Sequence, residues 1–333
     1  MPFRASFECL WCGAPWTVRG SDDLEGFAQL CPDCIGRAGD NGFLRFRLKA
    51  ALDERARAPT SDGATGSAGS SAPASSSAPA GPSASAPTSS SAPVGASSSG
   101  MVDADLSAEM VAHYAARADE YDDWYLRRGR YAHGPIDDAV WTTELDRATL
   151  WLDGLPLAGE IVELAAGTGW WSPLLASKGE LSIYDASEEP LDQARDRLIA
   201  HRLRAHIHVR DAWAEPDRAV DAVFCGFWLS HVPDDRLDAF LRLVRRWLKP
   251  GGRFAFVDSL ADPSSGAVDQ PETPAGEAEL GIDRRRLADG REFRVVKVRR
   301  DAARLGSALA AAGFSAVDVG ATPRFFVLGT ASS

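Results

Sequence analysis

The sequence predicts an α/β fold, a doubly wound and mostly parallel sheet, joined by a disordered tether to a small N-terminal four-cysteine module. Three observations point there. A strand-length apolar run, Ile161-Val-Glu-Leu164, gives way to a Gly167-Thr-Gly169 turn and then to residues that open a helix. From that turn onward, short apolar runs alternate with amphipathic helical stretches, the pattern of a parallel sheet covered on both faces. Finally, four of the five cysteines fall into two Cys-x-x-Cys pairs near the start, cut off from everything else by a Ser/Ala/Pro/Gly tract.

The chain has 333 residues, 45% of them hydrophobic, enough for one large domain and a small one. No apolar run reaches the roughly 20 residues of a membrane helix, and the first residues lack a charged-then-apolar export signal, so a cytoplasmic protein without a membrane partner is expected. A formal net charge of −11 argues against a broad grip on nucleic acid.

In the first unit, residues 1–57, Cys9 and Cys12 are followed after eighteen residues by Cys31 and Cys34. Thiolates two apart on a tight turn share one tetrahedral ion, so these four are the candidate metal ligands and zinc the candidate metal. The apolar residues here are too few to fold without it, which makes the zinc structural. Eight basic and eight acidic residues leave the unit neutral. A protein contact or a purely structural role fits that neutrality better than nucleic-acid binding. Residues 58–103 form the tether, which offers nothing to build a core from. A flexible chain of that kind spans on the order of 35 Å, so the two units need not touch.

The main domain takes residues 104–333. Residues 104–117 and 142–152 read as helices, and between them lies an aromatic, basic stretch, residues 121–131. Its rings either pack the helices onto the sheet or form a lid over an amphipathic ligand with a carboxylate. After the glycine turn, Leu181-Ser-Ile-Tyr-Asp185 is a second strand ending in an acid, 22 residues beyond Glu163, where a βαβ unit presents a carboxylate to a ribose diol. A helix over 189–203 leads to a strand over 206–210. His206 and His208 share a face of that strand but lack a third ligand for metal. Residues 219–228 form a buried-type strand containing Cys225, a small hydrophobe there. An amphipathic helix follows, ended by Lys249-Pro-Gly-Gly252, which launches a strand over 253–257. Residues 260–280 make an excursion at the ligand edge of the sheet. A strand over 294–298, a helix over 300–312 and a closing hairpin of strands over 316–319 and 324–328 complete the domain.

Taken together, Glu163-Leu-Ala-Ala-Gly-Thr-Gly169, Asp185, Asp211-Ala-Trp213, residues 221–228 and Leu248-Lys-Pro-Gly-Gly252 resemble the class I S-adenosylmethionine-dependent methyltransferases. The resemblance implies a seven-stranded sheet with an antiparallel last strand and S-adenosylmethionine as cofactor. It places Glu163, Ala165, Gly167 and Gly169 along the methionine part, Asp185 with Ala186 at the ribose, Asp211 and Ala212 at the adenine, and Phe227 on the far wall. Ala165 departs from the family, which often has its first glycine there.

The implied reaction is methyl transfer to an acceptor, a small molecule in preference to ribosomal or transfer RNA. A nicotinamide-dependent oxidoreductase also uses a Gly-rich turn and a later acid, but the closing hairpin and Lys249-Pro-Gly-Gly252 favour methyl transfer. A non-catalytic protein that keeps the cofactor fold is the third reading. His231, just past a strand end, and His113, in the leading helix, are the candidate general bases for acceptors that need one.

Overall fold

A computed structural model describes residues 5–8, 15–18 and 98–333, with side chains from residue 104 onward. Cys9, Cys12, Cys31 and Cys34, and residues 58–97 of the expected 58–103 tether, lie outside the described residues, while 98–103 are helical and not part of a structureless tether. Near the start, β1 (Ala5–Glu8) and β2 (Pro15–Val18) pair antiparallel with Glu8 opposite Pro15, so the six residues joining them carry Cys9 and Cys12.

The main domain begins with α1 (Ser98–Ala116), α2 (Ala118–Leu126) and α3 (Pro135–Gly154). Pro135 starts α3, where its fixed φ suits a first turn that has no use for its missing N–H, which makes the helix longer than expected. Then follow β3 (Glu160–Leu164), α4 (Ser172–Ala176), β4 (Glu180–Asp185), α5 (Glu188–Ala200), β5 (His206–Val209), β6 (Val220–Gly226), α6 (Leu237–Trp247) and β7 (Leu248–Ser259). The remaining elements are α7 (Ala275–Glu279), β8 (Ile282–Arg286), β9 (Glu292–Val296), α8 (Ala302–Ala311), β10 (Ser315–Ala321) and β11 (Phe326–Ser332).

Seven strands form one sheet in the order β10-β11-β7-β6-β3-β4-β5. Strands β3 to β7 run parallel, and β11 is antiparallel to both β7 and β10. Successive residues of each strand feed opposite faces. On one face Ile161, Ile183, Phe224 and Val257 pack under α3, α4 and α5; on the other Val162, Val223, Phe254 and Phe256 pack under α6 and α8. Helix α6 shows why its pattern was readable: Leu237, Phe240, Leu241, Val244 and Trp247 are buried at helical spacing. Each such side chain, fully buried, contributes on the order of 2 kcal/mol. Cys225 is a free, buried thiol in this core.

Two regions differ from expectation. Residues 260–280 are a strap bonded to α2, and the segment after it pairs as a separate hairpin, β8 against β9. That hairpin docks on α1 through Leu106, Met110, Ile282, Val295 and Val296, and through Glu109, whose carboxylate accepts from the Arg294 amide and guanidinium. The strap is held at several points. Trp124 Nε1 donates to the Ser265 carbonyl at 2.6 Å, Arg127 to that of Ser264 at 2.5 Å, and the Val268 amide to the Arg130 carbonyl at 2.8 Å.

Candidate active site

The carboxyl ends of parallel strands leave a crevice where the chain turns into the next helix, and ligands of such sheets bind there. The crevice is a cavity of about 810 Å³, open to solvent, walled by the turns after β3, β4, β5 and β6 and roofed by Met110, Val111 and Tyr114 of α1.

Beyond β3, Ala165 and Gly167 both take left-handed φ, +52° and +54°, and both line the cavity. The Gly167 amide donates to Asp185 Oδ2 at 2.8 Å, and the Ser187 amide to Oδ1 at 3.1 Å. This carboxylate is thus aimed by backbone while keeping lone pairs for a ligand. Burial pushes the Asp185 carboxyl up to about 6, its backbone hydrogen bonds pull it down, and Asp211 adds a further push upward. Hydroxyl donors from a ribose would relieve that cost. Asp211 accepts from the Trp213 amide at 2.7 Å, an Asx turn that presents Ala212 and Trp213 to the cavity. Ala186 lines it beside Asp185.

Phe227 is a bulky residue at φ +59°, just past β6, with its amide bonded to the Val257 carbonyl at 2.7 Å. Holding it there costs roughly 1–3 kcal/mol, a strain found mainly where function needs it. Its ring meets Trp124 edge-on at 4.7 Å and faces the crevice.

Glu163 and Gly169 are placed differently from the expectation. Glu163 is 1% exposed, sits beneath the turn and accepts from the Ser172 hydroxyl at 2.5 Å. Burial pushes its carboxyl up to about 8, against the pull of that hydroxyl. A β-carbon on Gly169 would lie 2.6 Å from Cβ of Ala194, so this glycine lets α5 pack on the turn and does not line the cavity.

Neither histidine is an available base. His113 is buried between Tyr114 and Phe293, away from the crevice, and burial together with Arg117, Arg285 and Arg130 pushes it down to about 2. His231 does line the crevice, but Nδ1 donates to the Val296 carbonyl at 2.6 Å and Nε2 accepts from the Tyr114 hydroxyl at 2.8 Å. That carbonyl can only accept, which fixes the tautomer. Burial, helped by Lys297, holds the ring neutral.

A second cavity, of about 450 Å³, shares Tyr114, Tyr121, Phe227 and His231 with the first. Arg117, Arg285, Lys297 and Arg299 lie on its other walls. None of these four was singled out in the sequence. The basic stretch 121–131 was, yet its Arg127 and Arg130 serve the strap, Arg127 through the Ser264 carbonyl and Arg130 through Asp269 at 2.7 Å. Its rings divide between the two readings: Trp124, Tyr125 and Tyr131 are buried in the core, while Tyr121 and Trp124 also reach the second cavity. Among the described residues no group of three or more His, Cys, Asp or Glu is placed to hold a metal ion. Nor is any helix among them long and apolar enough to cross a membrane.

Comparison with known proteins agrees with this geometry. A methyltransferase-domain family matches residues 161–252. The solved structure of DhpI with SAM and HEP is 32% identical, with a TM-score of 0.53, and the match covers 68% of this chain and 97% of that one. The demethylmenaquinone methyltransferase of Clavibacter sepedonicus is 35% identical over 169 residues, 49% of this chain and 64% of the relative. The ubiquinone/menaquinone biosynthesis C-methyltransferase UbiE of Pseudomonas putida (strain KT2440) is 32% identical over 120 residues, 34% of this chain and 46% of the relative. The chain spans about half the length of most of the curated relatives it matches. Sheet order, the crevice at its carboxyl edge and a relative spanned almost end to end agree: the chain belongs to the class I S-adenosylmethionine-dependent methyltransferases.

Proposed function

We propose that this protein transfers the methyl group of S-adenosylmethionine to a small-molecule acceptor, with the crevice holding the cofactor and the second cavity the acceptor. The continuity of the two cavities through Tyr114, Tyr121, Phe227 and His231 carries the reading. The cofactor's residues fit: Asp185 offers buried carboxylate lone pairs, the space beside Gly167 is free of protein atoms within 4 Å, and the Asp211 turn ends the cavity with the apolar Ala212 and Trp213.

Bound, the cofactor supplies a sulfonium methyl: the acceptor's lone pair bonds to its carbon as the carbon–sulfur pair stays on sulfur, and a neutral acceptor also sheds a proton. The chain's work is to align and to exclude water. Phe227 and Tyr121 form walls common to both cavities. The Tyr114 hydroxyl proton points to His231 Nε2, so its oxygen is the face turned to a ligand. With both ring nitrogens of His231 engaged and the ring held neutral, a proton shed by a neutral acceptor passes to solvent.

Calorimetry on the full chain tests this. One equivalent of S-adenosylmethionine or S-adenosylhomocysteine should bind and NADH should not; NADH binding without either would overturn the reading. Release of S-adenosylhomocysteine when labelled cofactor meets small-metabolite fractions, and not with RNA, would place the acceptor class.

For the N-terminal unit the proposal is a structural zinc held by Cys9, Cys12, Cys31 and Cys34. The β1–β2 hairpin supports it, since its short connection carries the first pair. Elemental analysis of reduced protein should find one zinc per chain.

A further inference from the structure

We propose that the second cavity anchors the acceptor by an oxoanion, so that the methyl acceptor is a compact acid carrying a carboxylate or phosphoryl group. This rests on the reading of the two cavities as cofactor and acceptor sites, and deepens it.

Four cationic side chains converge from three parts of the chain: Arg117 from the junction of α1 and α2, Arg285 from β8, and Lys297 and Arg299 from the segment after β9. Their compensation is incomplete. Arg285 and Arg299 share one carboxylate, that of Asp283, at 2.7 and 2.8 Å. Lys297 Nζ donates to a hydroxyl, Ser230 Oγ, at 2.7 Å. Among the described residues Arg117 meets only tyrosines: its Nε donates to the Tyr131 hydroxyl at 3.3 Å, and its guanidinium lies over the Tyr121 ring at 4.5 Å. Asp258 is the other acid felt by Lys297, but no ion pair joins them among the described residues; its oxygens accept from the Ser230 and Ser259 amides at 2.8 and 2.6 Å.

Charge in a deep site is costly unless an opposite charge meets it. The bland alternative is a set of structural pins, and it accounts for Arg285 and Arg299, which Asp283 ties together. It does not account for Arg117 and Lys297, which line the cavity and have no ion pair to a carboxylate among the described residues. Burial pulls Lys297 down to about 7, with Arg299 and Arg285 pulling the same way against Asp258 and Asp283, so an added anion would favour its charged form. Guanidinium forks match the paired oxygens of a carboxylate or phosphoryl group, and the Tyr121 hydroxyl adds a neutral donor. The anion also lies beside the cavity assigned to a sulfonium cation, an attraction that neutral acceptors lack.

The test is calorimetry on the full chain saturated with S-adenosylhomocysteine, titrated with inorganic phosphate, acetate and, as a neutral control, glycerol. Saturable binding of phosphate or acetate, and none of glycerol, is expected; the tighter of the two shows whether the acid is phosphoryl or carboxylic. Arg117→Met and Lys297→Met should each weaken it at least about tenfold, while S-adenosylhomocysteine affinity, which also reports folding, stays within about threefold. Arg299→Gln serves as a third variant should either of these lose S-adenosylhomocysteine binding. No binding of either oxoanion, or binding that the variants leave unchanged, overturns the proposal. If S-adenosylhomocysteine itself fails to bind, the methyltransfer reading falls separately, and the same titrations without it still decide the oxoanion question.

Discussion

The two cavities meet at four shared residues but are built by different kinds of structure. The cofactor crevice is made by turns at the ends of parallel strands, its polar groups are Asp185 and Asp211, and backbone amides aim them. The second cavity, proposed for the acceptor, is lined by the α1–α2 junction, the strap, β8 and the segment after β9, and its charged groups are cations aimed by side-chain partners. A crevice set by the sheet is inherited with the fold, whereas a cavity set by added segments is free to vary with the substrate.

The largest expected effect lies in the crevice. Asp185→Ala should weaken S-adenosylhomocysteine binding by about 2–3 kcal/mol in a folded protein, with Asp185→Asn in between. Unchanged affinity in the alanine variant would remove the ribose assignment and break the comparison on its acidic side.

Next comes pH, which should move the two cavities in opposite directions. Burial and Asp211 hold Asp185 up near 6 against its backbone donors, and ligand hydroxyls favour the charged form. S-adenosylhomocysteine affinity should therefore be full above about 7 and fall about tenfold per unit below 6. Lys297 sits near 7 through burial, Arg299 and Arg285, against Asp258 and Asp283. An anion favours its charged form, so affinity for sulfate, itself ionised throughout, should fall as pH rises above 7. Slopes of the same sign in both titrations would refute the division.

Smaller is the strain at the crevice. Ala165 holds φ +52° with a β-carbon, so Ala165→Gly should raise stability by about 1 kcal/mol, read in denaturant unfolding. Smallest is Glu163→Gln, which touches a carboxyl that faces Ser172 and not the cavity. S-adenosylhomocysteine affinity should change less than about threefold. Because the Glu163 carboxyl is held up near 8, the native state keeps a proton that the unfolded chain gives up, and the parent loses stability as pH rises from about 5 to 8. The glutamine variant should be spared that loss, and its Tm advantage should grow over the same range.

The sheet was legible because strand periodicity, glycine turns and acids at strand ends are local signals. Asp185, Gly167 and the Asp211 turn stand at the crevice for that reason. The acceptor side was not legible. In β8, Ile282-Asp-Arg-Arg-Arg286 has no apolar alternation, and its arginines reach different targets: Glu277 for Arg284, Asp283 and the cavity for Arg285, Glu292 for Arg286. Such a strand is held by ion pairs to nearby acids and by the docking of its hairpin on α1, neither of which shows as apolar alternation. The histidines misled for a related reason. His231 is at a strand end, as a base should be, but the Val296 carbonyl and the Tyr114 hydroxyl that occupy it come from β9 and α1. Gly169 and Glu163 belong to the motif, but Ala194 and Ser172 decide that they serve the turn.

The strap has a consequence for motion. Trp124, Arg127 and Arg130 tie residues 124–130 to residues 264–269 by side chain and by backbone, and His133 bonds to the Gly266 carbonyl at 2.8 Å. Two segments whose bonded residues lie 133 to 141 apart in sequence cannot fray independently when each supplies the other's hydrogen-bond partners. In hydrogen exchange, peptides from 120–133 and 262–270 should show one common opening free energy, a single cooperative unit. Trp124 and Ser265 of that unit also line the second cavity, so this wall should open only when the unit opens as a whole.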